Sequence, residues 1–129
     1  MEYSYTKQVD LPFGEAVERT RAELANEGFG ILTEIDVKAT LKQKLGVSFD
    51  NYVILGACNP PFAYKALQAT KVVGLFMPCN VIVYEDQGKI FVSAILPTAA
   101  MSMLDNPLLA DIAVQVEEKF KRAIDNLNP

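Results

Sequence analysis

Apolar and polar positions alternate over residues 3–9, with Tyr3, Tyr5, Lys7 and Val9 on one side and Ser4, Thr6 and Gln8 on the other; this predicts a strand with one inward face. The period then changes. Phe13, Ala16, Val17, Thr20, Leu24 and Ala25 recur at helical spacing, so a helix opens at Asp10 or Pro12 and runs to about residue 27, where Gly28 is placed to end it. Residues 29–36 return to alternation, Ile31, Thr33 and Ile35 against Leu32, Glu34 and Asp36, and predict a second strand. A short helix over 37–45 follows, with Asp36 as its N-cap and Gly46 as its stop.

Residues 52–57 are apolar on both faces, the pattern of a strand in the interior of a sheet. Asn59 is placed as the N-cap of the next helix, with Pro60 and Pro61 in its first turn, where missing amide donors do no harm. That helix extends to about residue 70. Residues 81–85 and 89–95 predict a hairpin joined by Asp86, Gln87 and Gly88. Residues 98–104 suit one or two helical turns, and Pro107 begins a last helix reaching about residue 126. It sets Leu109, Ile112, Ala113, Val116, Phe120, Ala123, Ile124 and Leu127 on one stripe, opposite Asp111, Gln115, Glu118, Lys119 and Arg122, and so reads as core. The order β-α-β-α-β-α-β-β-α is not a regular βα alternation and its hairpin is antiparallel. The expected class is α+β: a curved, mainly antiparallel sheet with helices packed on one face and a long carboxyl-terminal helix. With no repeat, linker or low-complexity segment, residues 1–129 are expected to form a single domain.

Composition removes function classes. The chain is 50% hydrophobic and 22% charged, which suits a folded core rather than a disordered segment. Net charge is −4, and the lysines are scattered apart from Lys38, Lys42 and Lys44, a solvated helix face, so nucleic acid is not an expected partner. No apolar stretch approaches a membrane span and residues 1–5 carry no signal-peptide features, which makes the cytoplasm the expected compartment and a membrane no expected partner. There is no histidine, which excludes Ser-His-Asp and Cys-His mechanisms, and no glycine-rich phosphate loop, so no cofactor is expected. Glu15 with Glu18, and Glu117 with Glu118, read as solvated helix faces.

The remaining chemistry gathers at two cysteines, in Ala57-Cys58-Asn59-Pro60-Pro61 and Met77-Pro78-Cys79-Asn80. In a reducing compartment both are expected as free thiols. Cys58 precedes a helix start, whose dipole and free amides would favour a thiolate, and Cys79 precedes the next strand. If those two strands are antiparallel neighbours, both sulfurs lie at one edge of the sheet. Tyr64 and Lys65, on the intervening helix, would offer a phenol or an ammonium group near Cys58. Two cysteines without histidine are too few for a closed zinc site, and Glu34, Asp36 and Glu85 show no ligand spacing, so no metal site is expected. The apolar residues 72–78 are expected to line a pocket or a subunit interface rather than to cross the core as a loop.

Gly28-Phe29-Gly30-Ile31, Ile54-Leu55-Gly56-Ala57-Cys58-Asn59-Pro60 and Gly74-Leu75-Phe76-Met77-Pro78-Cys79-Asn80-Val81 together resemble the bacterial and archaeal family known as domain of unknown function 302, over nearly the whole chain. The resemblance implies a curved antiparallel sheet with a long carboxyl-terminal helix, likened to the TATA-binding-protein fold, and pairing as a homodimer. It implies no agreed activity, and likeness of shape implies no DNA binding. Relatives in settings of sulfur metabolism lean the reading toward thiol chemistry. Three functions stand open. The working expectation is a homodimer binding a small ligand near Cys58 and Cys79, with Asn59 and Asn80 as polar contacts and Val73, Leu75, Phe76 and Met77 as its apolar wall. The second is a thiol-based redox or sulfur-transfer protein, with Cys58 as nucleophile and Cys79 as resolving thiol. The third is a purely structural or protein-interaction domain in which both cysteines only pack.

Overall fold

A computed structural model describes residues 2–128. Five strands form one antiparallel sheet: β1 (Ser4–Val9), β2 (Gly30–Asp36), β3 (Tyr52–Cys58), β4 (Cys79–Asp86) and β5 (Lys89–Ile95), in spatial order β1-β5-β4-β3-β2. The helices are α1 (Phe13–Asn26), α2 (Val37–Leu45), α3 (Pro60–Ala69), the single turn α4 (Pro97–Ala100) and α5 (Pro107–Asp125). The class is α+β, as the mixed order of elements predicts. Tyr3 lies outside β1 and is exposed.

Alternation decides which side of the sheet becomes core. Leu55 and Ala57 of β3, Val81 and Val83 of β4, and Val92 and Ala94 of β5 point to one face and are buried there. Ala16, Val17 and Leu24 of α1, Ala66 of α3, and the full apolar stripe of α5 close over them in one hydrophobic cluster. Phe29 stacks on Phe120 with ring centroids 4.5 Å apart, fastening the start of β2 to the middle of α5. An aromatic side chain withdrawn from water here is worth about 1.5–3 kcal/mol. Ala25, placed on the apolar stripe of α1 by spacing, is exposed, because one residue beyond Leu24 the helix has already turned past the sheet.

The strand β2 departs from simple alternation. Ile31 pairs with Ala57 and Thr33 with Gly56, so Leu32 is an extra residue in a bulge. Ile31 therefore faces the helices and packs against the core, whereas Thr33 and Ile35 face the other side. The sequence reading set these three on one side; the bulge splits them. The β4–β5 connection is also tighter than expected. Asp86 pairs with Lys89, leaving only Gln87 and Gly88, at φ 52° and 78°, the backbone of a two-residue primed turn. Residues 71–76 form a 3-10 turn in which Val73 is fully buried.

The helix ends follow local chemistry. Asp36 caps α2 by accepting from the Ala39 amide at 2.9 Å, and Gly46 closes that helix at φ 67°. Asn106 accepts from the amides of Leu108 and Leu109 at the start of α5. Glu117 is not the solvated carboxylate that its spacing suggests. It accepts hydrogen bonds from the Thr98 amide at 3.2 Å and the Thr98 hydroxyl at 2.6 Å, pinning α4 against α5.

A Cβ added at Gly56 would run into the Thr33 hydroxyl and stand 2.8 Å from Cγ of Pro78. Gly56→Ala is expected to cost about 1–3 kcal/mol in denaturant unfolding, as overpacking does. Thr33→Ala in the same chain should recover part of that loss. An unchanged midpoint for the single variant would contradict this packing.

Candidate functional site

The register of β3 against β4 builds the site. Ala57 pairs with Cys79 and Gly56 with Asn80, so the last residue of β3, Cys58, lies diagonal to the first residue of β4. The two strands are antiparallel neighbours, and the residues bordering one apolar cavity of about 40 Å³ include both cysteines, each a free thiol. That is more than the space one water requires, although the walls offer water few partners. Phe62, Ala63 and Ala66 of α3 form one wall, and Ile112, Ala113 and Val116 of α5 another. Phe29 closes the side toward β2, Met77 and Pro78 the entry to β4, and Pro97 and Met101 the side toward α4.

Burial raises the Cys58 thiol above its ordinary value. Cys79 is pushed up to about 11, first by burial and then by the neighbouring charge of Cys58. This runs against the thiolate expected at a helix start, and the first turn of α3 explains why. Pro60 and Pro61 have no N–H, and the Ala63 amide already donates to the Asn59 carbonyl at 2.9 Å. Only the Phe62 amide is left of the donors that would have favoured a negative sulfur. Two prolines make a good helix start and a poor anion site.

Asn59 occupies the N-cap position of α3, but its side chain caps nothing there. It is 8% exposed, and its amide donates instead to the Glu27 carbonyl at 3.1 Å, tying the end of α1 to the end of β3. Gly28, at φ 88°, lies directly against that amide, with 3.2 Å between Nδ2 and the place a Cβ would take. Asn59 still lines the cavity, as does Met77. The other expected wall residues do not. Val73 is sealed in the core, Leu75 is 82% exposed, and Phe76 is half-buried away from the cavity. Asn80 pairs with Gly56 and so points to the opposite face of the sheet, exposed. Tyr64 is exposed, and Lys65 places its ammonium 5.9 Å from the Phe62 ring centroid rather than beside a sulfur.

Phe29, Phe62, Ala66, Met101, Ile112 and Val116 were not marked by sequence as site residues. Ile112 and Val116 carry the helical periodicity of core, and nothing in that pattern distinguishes a core wall from a cavity wall. Phe62 and Met101 carry no signal beyond being apolar. Among the described residues no three His, Cys, Asp or Glu side chains gather as a metal cluster. Glu34 pairs with Arg21, and Glu85 accepts from Asn51. No helix of the described residues is long and apolar enough to cross a membrane.

The raised thiol of Cys79 sets a pH dependence. An unfolded cysteine titrates near about 8.5, so above that pH the unfolded chain loses its proton while the folded chain keeps it. Stability from this group is intact below that range and falls as pH rises toward the folded value of about 11. Cys79→Ala should flatten that alkaline limb relative to wild type in denaturant melts. Alkylation of both thiols should be slow at neutral pH and accelerate only in the alkaline range; fast modification near pH 7 would overturn the assignment.

Comparison with known proteins agrees with this fold. A solved structure described as "Crystal structure of uncharacterized conserved protein DUF302 from Bacillus stearothermophilus" superposes with a TM-score of 0.93 at 33% identity, covering 98% of this chain and 99% of that one. No curated protein matches the sequence. The family model for "Domain of unknown function DUF302" matches residues 5–127, and with a match over nearly its full length this chain belongs to that family.

Proposed function

We propose that this chain binds a small, largely apolar or sulfur-seeking ligand in the cavity between α3, α5 and the adjoining ends of β3 and β4. The observation that carries this reading is one apolar hollow whose border includes both Cys58 and Cys79, distant in sequence. Binding sites for small molecules are concave, mostly apolar and furnished with a few convergent polar or reactive groups. Here the residues on the border that could supply such groups are Cys58, Cys79 and Asn59. The hollow as it stands takes only a few heavy atoms. A larger guest requires Met77 or Met101 to change rotamer, which unbranched thioether side chains do readily. A nucleophilic thiol role draws less support, since both sulfurs sit where the neutral form is favoured. A purely structural role leaves the hollow beside them without a purpose.

We infer also that two copies pair through the sheet face turned away from α1, α3 and α5. Tyr52, Tyr84 and Phe91 stack across three strands on that face, with centroids 5.6 and 5.3 Å apart, beside Ile35, Ile54, Ile82 and Ile95. A contiguous apolar surface of this kind is costly to leave in water.

Ligand binding is tested by following the Met77 and Met101 methyl resonances during titration with small neutral hydrocarbons and thioethers. Saturable shifts are expected in wild type and should vanish in Ala63→Leu, which fills the hollow. No perturbation by any probe would sink the reading. Pairing is tested by sedimentation: wild type should run as a dimer and Ile82→Lys as a folded monomer. A monomeric wild type at high concentration would refute it.

A further inference from the structure

The small cavity has a larger neighbour. A second pocket, of about 390 Å³, lies between the α4 turn and the start of α5, and Thr98, Ser102, Asp105 and Asn106 are on its border. Met101 and Ala113 border both hollows. An alanine side chain is a single carbon, so at Ala113 the two spaces come within one residue's breadth of each other. Met101, the other shared residue, is an unbranched thioether that changes rotamer readily. The two borders differ in kind. The inner hollow has no Asp, Glu, Lys or Arg on its border. The outer pocket adds hydroxyls, an amide and, in Asp105, a carboxylate, and it is exposed to solvent at Ser102, Asp105 and Pro107.

We propose that the two hollows form one site for an alkylammonium ligand, its apolar tail in the inner cavity and its cationic head in the outer pocket, joined when Met101 changes rotamer. This rests on the reading of the inner cavity as a ligand site and names the ligand's chemistry. The sign of the head follows from which groups are already engaged. A helix start attracts an anion through free amides. At the start of α5, Pro107 has no N–H, and the Leu108 and Leu109 amides donate to Asn106 Oδ1 at 3.0 and 3.2 Å. The Ala110 amide donates to the Asn106 carbonyl at 3.0 Å. The Thr98 hydroxyl donates to Glu117 and the Ser102 hydroxyl to the Ala99 carbonyl, so neither hydrogen is left for an anion. Apart from the side-chain amide of Asn106, what this border offers a guest is acceptors, the Asp105 carboxylate foremost. A primary ammonium brings three donors and the charge opposite to Asp105.

Titrations with n-hexylammonium, 1-hexanol and hexanoate are followed by NMR at the Met77 methyl, whose residue borders only the inner hollow, and at the Asp105 and Asn106 amides, whose residues border only the outer pocket. Hexylammonium should shift both sets with a single Kd. It should bind about two- to fivefold more tightly than hexanol, as an exposed ion pair allows, with hexanoate weakest. Shortening the tail to butylammonium should weaken binding about fourfold per methylene lost. Asp105→Asn keeps a residue type that tolerates the left-handed backbone at this position, φ 47°. It should bring hexylammonium down to the affinity of hexanol and leave hexanol unchanged. Shifts confined to one set of resonances, equal affinity for the three heads, or an Asp105→Asn variant that binds hexylammonium like wild type defeats the proposal. If hexanol still shifts Met77 while the ammonium gains nothing, only the joined site falls; if no probe shifts Met77, the cavity reading falls with it.

Discussion

The pairing of β3 with β4 is the constraint on which the rest depends. Antiparallel register leaves no freedom in where side chains go: once Leu55 stands opposite Val81 and Ala57 opposite Cys79, every second residue of both strands is committed to the helical face. A slip of one residue would turn Leu55, Val81 and Val83, all fully buried, into water. The cost of that exposure holds the register, and the register places Cys58 diagonal to Cys79 at one edge of the sheet. The site is thus a by-product of core formation, held by the same burial that holds the fold.

The helical layer converts that juxtaposition into a chamber. α5 presents an unbroken apolar stripe across the sheet, and α3, launched from Cys58 by Asn59, Pro60 and Pro61, comes down beside it. Small residues keep the space between them from closing, with Ala63 and Ala66 on α3 opposite Ala113 on α5. The two prolines have opposite effects on structure and chemistry. They preset the backbone for the first turn, and they strip that turn of the amide donors that would stabilise an anion. The result is an apolar chamber bordered by two cysteines whose neutral thiols burial favours.

Membership of the DUF302 family, and close superposition on the homologous structure from Bacillus stearothermophilus, establish the architecture and leave the chemistry to be argued from side chains. Two surfaces carry that argument, on opposite sides of one sheet. The chamber lies under the helices; the aromatic ladder of Tyr52, Tyr84 and Phe91 lies on the uncovered face. Strand alternation makes both at once, because the residues between the core valines must point somewhere, and here most of those in β3 and β4 are apolar as well.

Period and punctuation settled much from the sequence alone. Helical and two-residue periodicities are local properties, so the strands, the long last helix, the N-cap at Asp36 and the stop at Gly46 were legible without coordinates. So was the prospect that Cys58 and Cys79 would lie at one edge of the sheet, since it followed from the order of elements once β3 and β4 paired. What needed the tertiary structure was everything set by neighbours distant in the chain. The bulge at Leu32 moved Thr33 and Ile35 to the far face; the Glu27 carbonyl captured the side chain of Asn59; strand parity sent Asn80 to the face opposite Cys79. The turn at 71–76 buried Val73 and exposed Leu75, two residues that composition alone treats alike. Met101 and Phe62 border the hollow only because α4 and α3 dock where they do. A sequence specifies which residues prefer to leave water, but which of them meet around a hollow is decided by packing between elements, and that information is not local.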